Sequence, residues 1–288
     1  MVDQLAKIYE ETVLENVQYL KQLENELFGR VNFNEEVHGV LTLSSQNITQ
    51  KWLSGKKYLR TKYARNAILE YPDEVLKLSI LLDSNINLMD DILDEALTQD
   101  ETALYLVELL RVLALRESYV MDDELRMRIS NYFNKLIFVA VSEKLLLEKI
   151  GDYDGEDFNR MAYNYFKGRS IDMDLFLEIP LLHMGYDKSE INEILVVGRL
   201  LRIVNLIKKD IADLKHDLKS DITTPITVLH EKNKSIKELV DYVFSRSVGK
   251  VPQKGSRKAD PIMSNLTNLL LKEQEELNKT LAKNEYKG

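Results

Sequence analysis

LKLSILLDSNINLMDDILDE, residues 76–95, carries the reading from which the fold follows. With the preceding residue included, Val75, Leu78, Leu81, Leu82, Ile86 and Met89 recur at three- and four-residue intervals. That spacing lines one face of an α-helix and does not alternate as a half-buried strand would. The same period runs through Leu5, Ile8, Tyr9, Val13, Val17, Leu20 and Leu23 at the start of the chain. Further helical stretches cover about 100–117, 122–149, 155–183, 187–217, 233–248 and 259–285, separated by breaks such as Gly151–Gly155 and His183-Met-Gly-Tyr186. Only 11 Gly and 5 Pro occur in 288 residues, too few for the turns of an all-β or βα-alternating domain of this size. We therefore expect an all-α fold, a single large bundle of about ten helices.

No Pro-, Gly- or Ser-rich linker divides the chain and no repeat is present, so one domain is expected over residues 1–288. Its one irregular segment, at about 246–260, is polar and basic and carries Pro252, and a flexible loop is expected there. The formal charge of -8 argues against a protein built to neutralise nucleic-acid phosphates. The absence of cysteine removes disulfides, thiolate nucleophiles and Cys-ligated metal sites together. The first residues lack the basic-then-apolar order of a signal peptide, and no apolar run is long enough for a transmembrane segment. The expectation is a soluble, cytoplasmic protein. His38, His183, His216 and His230 are scattered without metal-ligand spacing, and neither a nucleophile elbow nor a phosphate-loop motif occurs.

Chemistry concentrates in two acidic stretches. Asp90, Asp91 and Asp94 form a DDxxD whose first and last carboxylates sit four residues apart, ~40° around a helix axis. Adjacent anions repel one another, and a hard cation with oxygen ligands, Mg²⁺ above all, relieves the repulsion. A solvated acidic helix end is the alternative. The second stretch, NLIKKDIADLKHD at 205–217, places Asp210, Asp213 and Asp217 within an arc of ~60°. It reads either as a second metal-binding face or as a surface helix on which Lys208, Lys209 and Lys215 pair with the acids.

The order of these features resembles the polyprenyl synthetase family, the trans-isoprenyl diphosphate synthases of the class I terpenoid synthase fold. The first stretch resembles that family's first aspartate-rich motif, and KKDIADLKHD stands in the place of its second. Gly55-Lys56-Lys57-Tyr-Leu-Arg60 is similar to the family's basic diphosphate-holding element. Lys167-Gly168 matches its lysine-bearing element, and Gly168-Arg169-Ser-Ile-Asp172 matches equally well a GQxxD element. The resemblance spans about residues 50–230. It implies Mg²⁺ on Asp90, Asp91, Asp94, Asp210, Asp213 and Asp217, and a catalytic set of Asp90, Asp91, Asp94 and Lys167. It also implies diphosphate binding by Lys56, Lys57, Arg60, Lys167, Arg169 and Lys209, and a homodimer or heterodimer.

Four departures accompany it, one being that Asp217–Pro225, similar to a shortened DLxxGKxTLP, lacks the GK lysine. Lys209 replaces the first aspartate of the second motif, Asp83 replaces a histidine that contacts diphosphate, and nothing after Asp94 matches the family's paired arginines. Asn85 and Ile86, just before the first motif, supply no aromatic floor to limit product length. The implied activity is a prenyltransferase of isoprenoid biosynthesis, condensing an allylic diphosphate with isopentenyl diphosphate and releasing diphosphate. Two alternatives stay open: a class I terpene cyclase or a prenyltransferase to another acceptor, and a non-catalytic partner subunit of a prenyl synthase.

Overall fold

The structure, a computed structural model, describes residues 2–30, 58–94, 111, 114–118, 123–248 and 259–285; the side chains of 2–3, 17, 20–21, 23–30, 74, 88–94, 247–248 and 283–285 lie outside the description. Helix is the only regular structure among the described residues, and the all-α expectation holds. Among the described residues ten α-helices follow in order: α1 Val2–Arg30, α2 Leu59–Ala67, α3 Asp73–Asp94, α4 Asp123–Ile150, α5 Gly155–Arg169, α6 Asp174–His183, α7 Lys188–Lys219, α8 Pro225–Glu231, α9 Ile236–Val248 and α10 Asp260–Glu285. No described helix is long and apolar enough to cross a membrane.

The chain divides into two compact units, one of residues 1–65 and 71–126, the other of 66–70 and 127–288. In the first, α1 packs on α3. Leu5, Tyr9 and Val13 are buried on α1, and Val75, Leu78, Leu82 and Ile86 on α3. At the edge of that contact Lys77 Nζ donates to Glu15 Oε2 at 2.6 Å. The Arg116 guanidinium lies 4.2 Å from the centroid of the Tyr19 ring and donates to Asn16 at 3.1 Å.

The second unit is built around α7, which packs against α5, α6, α8 and α10. Residues 200–207 of α7 are buried without interruption, as expected of a helix covered on all sides. Asp187 caps its start: the carboxylate accepts from the N–H groups of Ser189 and Glu190 at 2.8 and 2.9 Å, while Glu190 accepts from the Asp187 N–H at 3.0 Å. Before it, the chain leaves α6 through Met184 and Gly185, whose φ of 73° suits a residue without a Cβ.

The stretch 155–183 reads as one helix in the sequence but is divided in the structure, because Ser170–Met173 winds as a 3₁₀ turn between α5 and α6. Tertiary contacts account for the tightening. Asp172 in that turn accepts three hydrogen bonds from the Arg202 guanidinium of α7, at 2.9, 3.1 and 2.6 Å. Its backbone carbonyl accepts from the Tyr132 hydroxyl of α4 at 2.6 Å. Asp174, next to it, holds Arg199. Of the basic segment expected to be a loop at about 246–260, residues 246–248 belong to α9 and Asp260 to α10, and residues 249–258 lie outside the described residues.

Candidate functional site

The first acidic stretch closes α3. The helix runs unbroken through Asp94, so Asp90 and Asp94 stand one turn apart, a rise of ~6 Å along the axis. The last turn contains no basic residue. Carboxylates at the negative end of a helix dipole cost about 0.3–1 kcal/mol each, and a bound cation would offset that cost. Their side chains lie outside the described residues, as do Lys56 and Lys57 entirely.

Upstream on α3, Asp83 is fully buried and its carboxylate accepts from Arg60 Nη1 at 3.1 Å, the Thr61 N–H at 2.8 Å and Asn87 Nδ2 at 3.1 Å. Arg60 Nη1 also donates to Asn87 Oδ1 at 2.9 Å. Burial pushes the Asp83 carboxyl above its ordinary range, against the opposing pull of Arg60 and Thr61. Arg60, expected as a diphosphate donor, is thus only 3% exposed and engaged inside the first unit. Asn85 and Ile86 are buried on the same helix.

The second stretch lies on the C-terminal half of α7 and belongs to the second unit. Asp210 is buried, and its Oδ2 has no hydrogen-bond partner. Burial raises its pKa to about 7; Arg169 and Lys209 pull downward, while Asp217 and Glu143 push further up. Arg169 is fixed from α5 and α4: its Nη1 donates to the Tyr165 hydroxyl at 2.7 Å and lies 3.5 Å from Glu143 Oε1. The Tyr165 hydroxyl in turn donates to Glu143 Oε1 at 3.1 Å. Burial keeps that phenol well above its usual pKa. Lys167 and Lys209 are exposed, Asp213 is half-buried and Asp217 is buried. Among the described residues no three acid or imidazole side chains come together as a metal-holding group. Asp210, Asp213 and Asp217 share a helix face without gathering around one point.

Between α4 and α5 opens a cavity of about 310 Å³. Phe138, Val139, Leu146 and Ile171 give it apolar walls, and Lys135, Glu143, Tyr165 and Arg169 give it a polar side. Phe138 is 75% exposed, and Val141 and Leu145 beside it are also exposed, so this face of α4 is apolar.

The sequence pointed to Arg169 and Asp210 but not to Tyr165 or Glu143. Tyr165 and Arg169 are four residues apart on α5, a spacing that signals a shared face. Glu143 comes from another helix, and no local pattern announces it.

No family model matches this chain, and no curated protein matches it. A solved structure described as a "putative Geranylgeranyl pyrophosphate synthase from Corynebacterium glutamicum" is similar over 98% of this chain and 88% of that one, with a TM-score of 0.59 and 14% sequence identity. At that identity the likeness is one of fold, and the all-α architecture is isoprenoid synthase-like.

Proposed function

We propose that this chain is a Mg²⁺-dependent prenyltransferase of the isoprenyl diphosphate synthase type, acting on an allylic prenyl diphosphate and isopentenyl diphosphate. One observation carries the reading: a DDxxD closes a continuous helix in a protein whose fold is similar, along nearly its whole length, to that of a chain described as a prenyl synthase. The donor set of Asp90, Asp91 and Asp94 fits a hard cation, because all its ligating atoms are oxygens and no neighbouring base in the last turn competes for them. Bound there, Mg²⁺ would neutralise charge on the diphosphate.

The chain's own side chains then divide the remaining work. Exposed Lys167 is assigned to the diphosphate, as are Lys56 and Lys57, which lie outside the described residues. The cavity beside α4, with Phe138, Val139, Leu146 and Ile171 on its walls, is the apolar space proposed for hydrocarbon. In the balanced reaction the allylic C–O bond breaks, a C–C bond forms to the acceptor alkene, and diphosphate and one proton leave.

Incubation of the purified chain with Mg²⁺ and geranyl, farnesyl or geranylgeranyl diphosphate, with and without isopentenyl diphosphate, tests the proposal. Diphosphate release that requires isopentenyl diphosphate supports it. Release from the allylic diphosphate alone points to a cyclase or a transferase to another acceptor. A second reading, a non-catalytic partner subunit, is favoured by the engagement of Arg60 with Asp83 and Asn87; release under neither condition would support it.

A further inference from the structure

The second acidic stretch is built differently from a metal site. Asp210 Oδ2 is sealed from solvent and has no partner. Mg²⁺ sheds water reluctantly and normally keeps several water ligands, so it needs carboxylate oxygens that open onto a wet space. Asp217 lies seven residues further along α7, a rise of ~10 Å, too far to share one ion with Asp210. That leaves Asp213 with one turn-spaced carboxylate on either side, Asp210 and Asp217, and among the described residues no three such groups come together to complete a metal's shell. Positive charge is already present in the surroundings. The Arg169 guanidinium is oriented by the Tyr165 hydroxyl at 2.7 Å and by Glu143 at 3.5 Å, and Lys209 adjoins Asp210 in the chain.

We infer that the second acidic stretch takes no metal ion, and that Arg169, oriented by Tyr165 and Glu143, supplies together with Lys209 the positive charge around Asp210. Arg169 is on this account a positioning residue inside the second unit and not a diphosphate ligand. The inference rests on the proposed function only for the choice of metal and anion, and it limits metal binding to the first stretch.

Mn²⁺ binding to the full chain, counted by electron paramagnetic resonance of free Mn²⁺ in the presence of inorganic diphosphate, tests it without relying on activity. Asp210→Asn and the half-buried Asp213→Asn should each leave the number of bound ions unchanged and the Kd within about twofold of wild type. Loss of one ion per chain, or a tenfold weaker Kd, in either variant would overturn the inference; Asp213→Asn remains decisive if Asp210→Asn does not fold. Asp90→Asn is the separate arm for the proposed function and should lose binding. If wild type binds no Mn²⁺ at all, the proposed function fails while the second stretch stands as metal-free.

Discussion

Replacing Asp83 by Leu would leave the Arg60 guanidinium, 3% exposed, without its carboxylate. Stranding one member of a buried ion pair costs about 3–5 kcal/mol, and Arg60→Met, which strands Asp83 instead, should cost a similar amount. The double variant removes both charges and replaces them with apolar groups of comparable size. It still deprives the buried Thr61 N–H of its 2.8 Å acceptor, a loss of about 1–3 kcal/mol. The double change should therefore lie at least about 3 kcal/mol below the sum of the two single changes. Urea unfolding followed by circular dichroism, run as a double-mutant cycle, measures the difference. Single costs below about 1 kcal/mol that simply add would refute the ion pair. The same double variant reports on function, because its Kd for inorganic diphosphate with Mg²⁺ should stay within about twofold of wild type. A tenfold loss, about 1.4 kcal/mol, would return Arg60 to the diphosphate site.

Asp210 titrates in the folded chain at about 7 against an ordinary 3.8. Between those values the folded state keeps a proton that the unfolded chain has released, so stability falls as pH rises through the window and levels off above it. The fall amounts to up to about 4 kcal/mol, and Asp210→Asn should lack it; parallel urea midpoints for the two proteins from pH 4.5 to 7.5 would contradict this. In Gly198→Ala the new Cβ would lie 2.3 Å from Leu177 Cδ1 in the packed contact of α6 with α7. Overpacking of about 1–3 kcal/mol should exceed the helix-propensity gain of about 1 kcal/mol, and a raised Tm would refute that balance. Asp187→Ala removes the cap that accepts from Ser189 and Glu190, and should lower stability by about 1 kcal/mol in the same unfolding assay.

The helices of this protein are legible because burial imposes a period on the sequence. The bounds expected for α4, α7 and α10 lie within about two residues of those observed, since each is long and carries many repeats of its apolar spacing. The division of 155–183 was not legible. Nothing local in Ser170–Met173 demands a 3₁₀ turn; the grip of Arg202 on Asp172 comes from 30 residues away. At the candidate site the acids were legible as types and spacings, and their surroundings were not. The same letters DIAD suit a wet metal site or a sealed carboxylate, and the burial of Asp210, invisible in the sequence, is what the metal-free inference rests on.

Composition and periodicity by themselves determined that the chain is all-α, because helix formation depends on neighbours three and four residues apart. Tertiary structure alone decided which charges are spent inside the protein. Arg60 finds Asp83 across 23 residues and Tyr165 finds Glu143 across 22. Such pairings arise only when packing removes both partners from water, where an unpaired charge or donor would be costly.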